Sequence, residues 1–254
     1  MQQISVVIIT KNEAAVIGNT LASLQGLTDD IIVYDNGSTD ETVVIAREAG
    51  ARVFIGEWQG FGKTKTRANN EAKYDWVLSL DADEQIDSQL KNTLISMKFE
   101  DDKIVYKLRF RNFLGSKMLK HGEWGNDKHI RLFNRHLVHW NNEAVHETLV
   151  LPGQCRIKLI SDGFVLHKTM KNLQDYAQKM VKYAMLSADK YFADGKRSSW
   201  IKIHFSPLFN FLNYYLLKLG FLDGHEGYIC ARMTAHYTFL KYSRLREKWV
   251  HNSR

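Results

Sequence analysis

Two aspartates, Asp81 and Asp83, stand at the end of an apolar run, and a third acid, Glu84, follows at once. Carboxylates this close repel one another unless a cation, a basic neighbourhood or water offsets their charge. Mg²⁺ takes oxygen ligands and commonly uses one or two carboxylates together with substrate phosphates. The Asp-x-Asp pattern therefore fits a divalent metal site, although a solvated strand end before an acidic helix start is the better explanation when the pattern is taken alone. Glu84 and Asp87 need no role beyond the start of that helix.

A second polar cluster, DNGSTDET, begins at Asp35 and follows the apolar residues 31–34. Asn36 and Gly37 form a common turn pair, so a tight turn before a helix accounts for much of the cluster. A turn does not explain why a carboxylate ends a buried strand, where it could accept hydrogen bonds from the N–H or hydroxyl groups of a ligand. The first apolar segment of the chain also ends in polar residues, namely Thr10, Lys11, Asn12 and Glu13.

Alternating strands and helices must position these clusters. Continuous apolar and β-branched runs predict four strands, at residues 4–10, 30–35, 51–56 and 76–81. Helical periodicity lies between them, at residues 13–25, 40–49 and 63–72. This alternation predicts an α/β fold with a mostly parallel central sheet and helices on both faces. Ligands of open α/β sheets bind beyond the carboxyl ends of the strands, so the polar strand ends mark the predicted site.

The pattern changes in the second half of the chain. Alternating polar and apolar residues between positions 104 and 165 predict antiparallel strands added to the parallel sheet. After His167 the periodicity becomes helical, in three segments at residues 172–195, 200–219 and 228–249. The second half therefore predicts a completed sheet followed by a helical C-terminal extension.

Composition and charge narrow the class of protein. The 254 residues are 44% hydrophobic and 25% charged, which suffices for a sizeable core. A net charge of +7 permits nucleotide phosphates, a membrane surface or nucleic acid as partners without selecting one. The chain opens on an apolar run without a basic leader, and no run of about 18 apolar residues occurs, so we expect neither a signal peptide nor a spanning helix. Two widely separated cysteines, Cys155 and Cys230, predict free thiols in a reducing compartment and hence a cytoplasmic protein.

Two familiar nucleotide-binding motifs are absent from the sequence. The first loop reads TKNEAA, whereas a dinucleotide-binding loop at this place reads G-x-G-x-x-G. The segment GFGKTKT at residues 60–66 lacks the glycine and lysine spacing of a P-loop. Dinucleotide binding and a P-loop nucleotide-binding function are therefore both disfavoured.

Roughly the first 100 residues resemble the nucleotide-binding half of glycosyltransferase family 2, in ISVVIITKNEAAVIGNTLASL, IIVYDNGSTDETVVIAREAGARV and GFGKTKTRANNEAKYDWVLSLDADEQI. The resemblance implies a GT-A fold. A looser similarity to bacterial enzymes of the lipopolysaccharide core β-1,4-glucosyltransferase type extends it through KHIRLFNR, EAVHETL, VLHKT and YYLLKLGFLDGHEG. We therefore expect a GT-A domain at residues 1–170, with a nucleotide-sugar-binding half (1–100) and an acceptor half (101–170), and a helical extension at residues 171–254.

The resemblance also implies a donor, a cofactor and donor-binding residues. The donor is a nucleotide diphosphate sugar, expected to be a UDP-sugar, and the cofactor is Mg²⁺ or Mn²⁺. Asp35 matches the acid that contacts the base, Asp81 the acid near the ribose and the metal, and Asp83 the acid that ligates the metal beside the diphosphate. Base and ribose are further held by first-loop residues, which here match Thr10, Asn12 and Glu13.

Other positions stay open between a functional and a structural role. Arg67 is the favoured donor contact among the three basic residues of the third helix, the others being Lys63 and Lys65. Arg131 is a candidate for the diphosphate, because a guanidinium can grip phosphate oxygens bidentately. His167 matches a histidine that joins the metal shell in some relatives, and a satisfied strand-end histidine is the alternative.

Inverting members of the family use a carboxylate as a general base, which removes the proton of the acceptor hydroxyl during in-line attack on the anomeric carbon. The segment NEAVHE offers two carboxylates, Glu143 and Glu147. Motif position favours Glu147 as the base, and two surface acids in a loop are the structural alternative.

Apolar and aromatic residues crowd positions 205–221. They either pack against the α/β domain or lie in a membrane interface, where aromatic residues and lysines such as Lys202 and Lys218 are well accommodated. The second arrangement would place the protein peripherally at the cytoplasmic face of the inner membrane and would suit a lipid-linked acceptor.

The sequence thus predicts a metal-dependent inverting glycosyltransferase. It would move a hexose from a nucleotide diphosphate sugar to a glycan or lipid-linked glycan of the cell envelope, as in a lipopolysaccharide core. Sugar transfer to a polyprenyl phosphate, or to another envelope polysaccharide, is the alternative. A non-catalytic basic module that binds nucleic acid or membranes is a different class, but it requires basic residues at the functional edge, where this chain gathers acids, and we expect no nucleic-acid partner.

Overall fold

The computed structural model describes residues 3–141 and 148–252 of the chain. Its first part alternates strands and helices in the order β1 (Ile4–Thr10), α1 (Ala14–Leu24), β2 (Asp30–Asp35), α2 (Thr42–Glu48), β3 (Arg52–Ile55), α3 (Phe61–Asn70) and β4 (Trp76–Asp81). Three of these strands, β1, β2 and β4, have the bounds that their apolar runs predict. Helix α3 begins two residues earlier than its periodicity predicts.

The second part adds short strands and then helices. It contains β5 (Glu84–Ile86), α4 (Ser88–Ser96), β6 (Ile104–Leu114), β7 (Lys117–Met118), β8 (Lys128–Asn134), β9 (His139–Trp140), β10 (Leu149–Val150), β11 (Arg156–Leu159), β12 (Val165–Met170), α5 (Leu173–Ala193), α6 (Trp200–Leu212) and α7 (Gly224–Asn252). A π-helical turn (Asn213–Leu217) and a 3₁₀ turn (Gly220–Asp223) connect α6 to α7. The three C-terminal helices and most of the predicted antiparallel strands are confirmed, but β11 pairs parallel with β6.

The strands are joined in the order β3-β2-β1-β4-β8-β6-β12-β5. Strands β3, β2, β1 and β4 run parallel, with Thr10 beside Asp35 and Ile9 beside Asp81. Strand β8 pairs antiparallel with β4, and β6 pairs antiparallel with β8. This register confirms that the polar ends of β1, β2 and β4 meet at one edge of the sheet.

Both faces of the parallel strands are buried, as their continuous apolar runs predict. Successive side chains of a strand point to opposite faces, so β1 contributes to two cores. Ile8 packs in one core with Ile17 of α1 and Leu90 of α4, and Ile9 packs in the other with Ala68 of α3. Helices on both faces are therefore confirmed.

The chain groups into two compact units. The first comprises Met1–Phe110 and Lys128–His167, and the second comprises Arg111–Asp127 and Lys168–Arg254. The polar strand ends of β1, β2 and β4 all belong to the first unit.

Within the second unit, α5 and α6 both pack against α7. The buried carboxylate of Asp223 holds the loop at residues 120–121, because it accepts hydrogen bonds from the N–H groups of Lys120 (2.9 Å) and His121 (2.7 Å). Among residues 3–141 and 148–252, no helix is both long enough and apolar enough to cross a bilayer.

Candidate active site

Asp35 ends β2, and its buried carboxylate organises the turn that follows. Its Oδ1 accepts hydrogen bonds from the N–H groups of Gly37 (3.0 Å) and Ser38 (2.8 Å), and the Ser38 hydroxyl donates to its Oδ2. Gly37 has φ of +81°, a conformation that glycine adopts without steric cost. The Asn-Gly turn and the carboxylate thus form one structure. A carboxylate oxygen has more than one lone pair, so these bonds leave capacity for a ligand donor.

The loop after β1 is tied to the loop after β2. The side-chain oxygen of Asn12 accepts a hydrogen bond from the N–H of Thr39 (2.8 Å), and the N–H of Glu13 donates to the Thr42 hydroxyl (2.9 Å). Thr10 is only 5% exposed, and its hydroxyl has no hydrogen-bond partner in the described part of the chain. Burial of an unpaired hydroxyl is unfavourable, so Thr10 is a group that a ligand could satisfy.

Asp81, at the end of β4, is held by two cations. Lys65 Nζ of α3 lies 3.2 Å from Asp81 Oδ1, and Arg131 of β8 donates to Asp81 Oδ2 (3.0 Å). The Arg131 guanidinium also donates to Glu84, whose other carboxylate oxygen accepts the N–H of Asp81 (3.0 Å). The Lys65 ammonium lies 4.7 Å from the centre of the Trp140 ring. The first acid of the Asp-x-Asp pair is therefore neutralised by protein cations.

The electrostatics of this network follow from burial and pairing. Burial alone would raise the pKa of Asp81, but the charges of Lys65 and Arg131 outweigh burial and hold that pKa well below its usual range. Burial raises the pKa of Glu84 above its usual value, although the Arg131 charge opposes this shift. The expectation that Glu84 only starts a helix is wrong, because it lies fully buried in β5 and binds Arg131. The N-cap of the following helix is Asp87, whose carboxylate accepts the N–H of Leu90 (2.7 Å).

Lys65 reaches Asp81, while Arg67 lies exposed on the other side of α3. Within the described residues Arg67 forms no ion pair. The reason is helical periodicity. Gly62, Lys65 and Ala68 are spaced three residues apart, so they lie on the same buried face of α3, whereas Arg67 lies outside this face. The sequence therefore contained a signal for Lys65 that charge alone did not reveal.

Asp83, the second acid of the pair, has a different environment. Among residues 3–141 and 148–252 it has no lysine or arginine partner, and His167 Nε2 lies 3.5 Å from its Oδ2. Strand pairing explains this proximity, since His167 of β12 is opposite Glu84 of β5. Burial would lower the pKa of His167, but the charges of Asp83, Glu84 and Asp81 outweigh burial and raise it.

The residues present fit a divalent ion only with help from a substrate. Within the described residues, no group of three His, Cys, Asp or Glu side chains is placed to hold a metal. Asp83 and His167 form a pair of donors, and Mg²⁺ bound by one or two side chains takes its remaining ligands from substrate phosphates and water. The pair is thus compatible with an ion that binds together with a diphosphate.

The candidate bases Glu143 and Glu147 lie outside the described residues. The residues that flank them are joined to each other: Asn141 N–H donates to the Thr148 carbonyl (2.9 Å), and Trp140 pairs with Leu149. Trp140, Thr148 and Leu149 line a cleft of about 460 Å³ that also contains Asp81. Described residues on both sides of the segment that contains the two glutamates, Trp140 and Thr148, therefore line this cleft.

Residues 5–148, more than half of the chain, match the family model described as "Glycosyl transferase family 2". The chain belongs to this family. Family membership and the strand order together confirm the predicted GT-A fold and the predicted glycosyltransferase activity. They favour an enzyme over the non-catalytic basic module.

Relatives of this glycosyltransferase extend over nearly its whole length. It is 29% identical to an uncharacterized glycosyltransferase of Rickettsia typhi over 261 residues, which covers 97% of this chain and 88% of the relative. It is 28% identical to the lipopolysaccharide core biosynthesis glycosyltransferase LpsC of Rhizobium meliloti over 252 residues, which covers 96% of this chain and 92% of LpsC. Among solved structures, S. aureus TarS 1-349 in complex with UDP-GlcNAc aligns with a TM-score of 0.45 at 15% identity, over 99% of this chain and 92% of TarS 1-349.

Proposed function

We propose that this family 2 glycosyltransferase is metal-dependent and inverting, and that it transfers a hexose from a UDP-sugar to a glycan or lipid-linked glycan of the cell envelope. The observation that carries the proposal is the contrast between its two adjacent aspartates. Lys65 and Arg131 neutralise Asp81, whereas Asp83 has only His167 beside it in the described part of the chain. A carboxylate at the sheet edge without a basic partner suits a bound cation.

The proposed donor lies along the carboxyl edge of β2, β1 and β4. Asp35 would accept hydrogen bonds from the base, and the loop residues Thr10, Asn12 and Glu13 would hold base and ribose. Asp81, kept ionised by its cations, would bind near the ribose and help to orient the metal site, with Arg131 holding the Asp81 carboxylate in place. Arg67 is exposed on α3 and would have to reach the donor from there.

Asp83 and His167 would bind the metal ion beside the diphosphate. When bound, the ion stabilises the negative charge that develops on the leaving diphosphate. Similarity to LpsC, a lipopolysaccharide core biosynthesis enzyme, supports an envelope glycan of that kind as the acceptor.

Calorimetric titration of the full chain with UDP, with and without Mn²⁺, tests this function. We expect UDP to bind in the presence of Mn²⁺ and binding to weaken at least about tenfold in EDTA. A panel of sugar nucleotides, scored by donor hydrolysis, then identifies the sugar. Failure of every UDP-sugar and of UDP itself to bind would contradict the proposal.

Glu147 is the proposed general base, with Glu143 as the alternative. Glu147→Gln should leave UDP binding unchanged and lower the rate of transfer by about 10²–10⁴-fold, because the amide cannot accept the acceptor's proton. Steady-state transfer rates measured beside UDP affinity check this prediction, and Glu143→Gln is the matched control. Full activity of Glu147→Gln together with loss in Glu143→Gln would transfer the role to Glu143.

Helix α6 and the turns after it expose an apolar surface in the second unit, which we propose contacts the cytoplasmic face of the inner membrane. Its exposed members are Trp200, Ile201, Phe205, Leu208, Phe209, Leu212, Leu216, Leu217, Leu219, Phe221 and Leu222. Phe209 is 63% exposed and Leu217 is 74% exposed. Arg197 and Lys202 precede or begin this surface, and cations beside exposed aromatic residues suit an anionic lipid interface.

Flotation with anionic vesicles tests the membrane contact. We expect the wild-type chain to float with phosphatidylglycerol vesicles, and Phe205→Asp/Phe209→Asp to bind at least about tenfold less, because two carboxylates replace apolar side chains that would enter the interface. Val44→Asp, at an exposed apolar position of the first unit, is the control and should float like the wild type. A wild-type chain that stays entirely in the bottom fraction would exclude this contact.

A further inference from the structure

The cleft beside Asp81 carries positive charge that the donor site does not use. It lies within the first unit and has a volume of about 460 Å³. Lys65, Lys107, Lys128 and Arg131 line it, and Asp81 is the one acid among its described lining residues. Such an excess of one charge in a concave site concentrates oppositely charged ligands there.

Two of the four cations are already balanced. Lys65 and Arg131 pair with Asp81 and Glu84, which makes two cations for two carboxylates. Lys107 and Lys128 are half-buried, and neither forms an ion pair with any residue in the described ranges 3–141 and 148–252. Among the described lining residues, the net charge therefore comes from these two lysines.

Strand register places the two lysines on one face of the sheet. Lys107 of β6 is opposite Ile130 of β8, and Lys128 lies two residues from Ile130 on the same strand. Diagonal neighbours of this kind are about 7–8 Å apart, which lets two long side chains converge on one group. Partly buried like charges at this distance repel each other unless an anion lies between them.

The cleft shares Asp81 with the proposed donor site, but Lys107 and Lys128 lie on strands further along the sheet. The proposed donor residues lie on β2, β1 and β4, whereas β8 and β6 follow β4 in the sheet. At a strand spacing of about 4.8 Å, Lys128 and Lys107 lie about 5 and 10 Å beyond β4 in the direction away from Asp35. Thr148, which directly follows the proposed base Glu147 in the sequence, also lines the cleft, and this supports a position on the acceptor's side.

The cleft also contains an N–H group that could donate a hydrogen bond to the acceptor. Trp140 lines the cleft and is 6% exposed, and its indole N–H has no acceptor among the described residues. An indole ring can also pack against the apolar face of a sugar. Besides Lys107 and Lys128, the cleft therefore offers an N–H group and an aromatic ring.

We propose that the cleft binds the acceptor through an anionic group, a phosphate or a carboxylate on its sugar, which Lys107 and Lys128 hold together. This assignment rests on the proposed glycosyl transfer and specifies its substrate: an acidic or phosphorylated glycan rather than a neutral one. By holding the anionic group, the two lysines keep the acceptor away from the donor diphosphate and turn the acceptor's hydroxyl toward the anomeric carbon of the donor.

Titration with matched monosaccharides tests the assignment on the full chain with UDP and Mn²⁺ present. Glucose 6-phosphate, glucuronate and glucose are compared by calorimetry. We expect at least one anionic sugar to bind about tenfold or more tightly than glucose, since hydrogen bonds to charged groups are the stronger kind. The preferred anion distinguishes a phosphate from a carboxylate.

Lys107→Gln/Lys128→Gln should abolish this preference and leave the affinity for UDP within about twofold of the wild type. Lys103→Gln, at an exposed position just before β6, is the control and should keep the preference. Equal binding of all three sugars, or an unchanged preference in the double variant, would overturn the assignment. If UDP does not bind to the wild type at all, the proposed transfer reaction is overturned instead. The same three sugars titrated without UDP would then still test whether the cleft binds an anionic sugar.

Discussion

Replacing Asp83 by asparagine should remove metal-dependent transfer and lower kcat about a thousandfold or more, with the fold retained. The substitution keeps the shape of the side chain and removes the one negative charge of the Asp-x-Asp pair that no described lysine or arginine offsets. A metal ion contributes several kcal/mol of stabilisation to developing charge, and about 1.4 kcal/mol corresponds to a tenfold change in rate. Initial rates of transfer from a UDP-sugar with Mn²⁺ measure the effect.

Two further measurements separate this result from a general loss of structure. The affinity of the Asp83→Asn variant for UDP should no longer depend on Mn²⁺, while its thermal unfolding without metal should match that of the wild type. Asp162→Asn removes an exposed carboxylate in the same unit and should leave rate and metal dependence unchanged. Wild-type turnover by Asp83→Asn would show that the metal ligand lies elsewhere.

Arg131→Met should lower the free energy of unfolding by about 3–5 kcal/mol, the largest stability effect that we expect in the first unit. The guanidinium is buried between Asp81 and the fully buried Glu84, so its removal leaves two carboxylates without their shared cation. Truncating one partner of a buried ion pair costs more than the pair itself contributes, because the remaining charge stays desolvated. Urea unfolding followed by tryptophan fluorescence is suitable, since Trp76 and Trp140 lie in the core of this unit.

A double variant tests the cause. Arg131→Met/Glu84→Met removes the stranded buried carboxylate together with its partner, so it should be more stable than Arg131→Met alone. Arg156→Met breaks an exposed pair with Asp101 and should cost no more than about 1 kcal/mol. A loss below about 1 kcal/mol in Arg131→Met would mean that solvent reaches Glu84 and that the network is not buried.

Much of the sheet was predictable because its signal is local. The strands β1, β2 and β4 each contain a mostly apolar run that ends abruptly in polar residues, so the C-terminal bound of each strand is marked in the sequence. Parallel pairing then brings Thr10, Asp35 and Asp81 to one edge without further information. The short strand β5 was not predictable in this way, because three residues carry no period and the adjacent acids are typical of a helix start.

The sequence by itself determined the fold class, the edge of the sheet that holds the acids and, through three motifs together, the glycosyltransferase family. Only the tertiary structure decided how the acids divide their roles. Lys65 reaches Asp81 from a helix that precedes β4, and Arg131 reaches it from a strand that follows 50 residues later. Coulomb interactions depend on distance in space, and burial changes them further. Two aspartates only two residues apart in the sequence therefore differ in the folded protein: Asp81 is neutralised by Lys65 and Arg131, whereas Asp83 is available to a ligand.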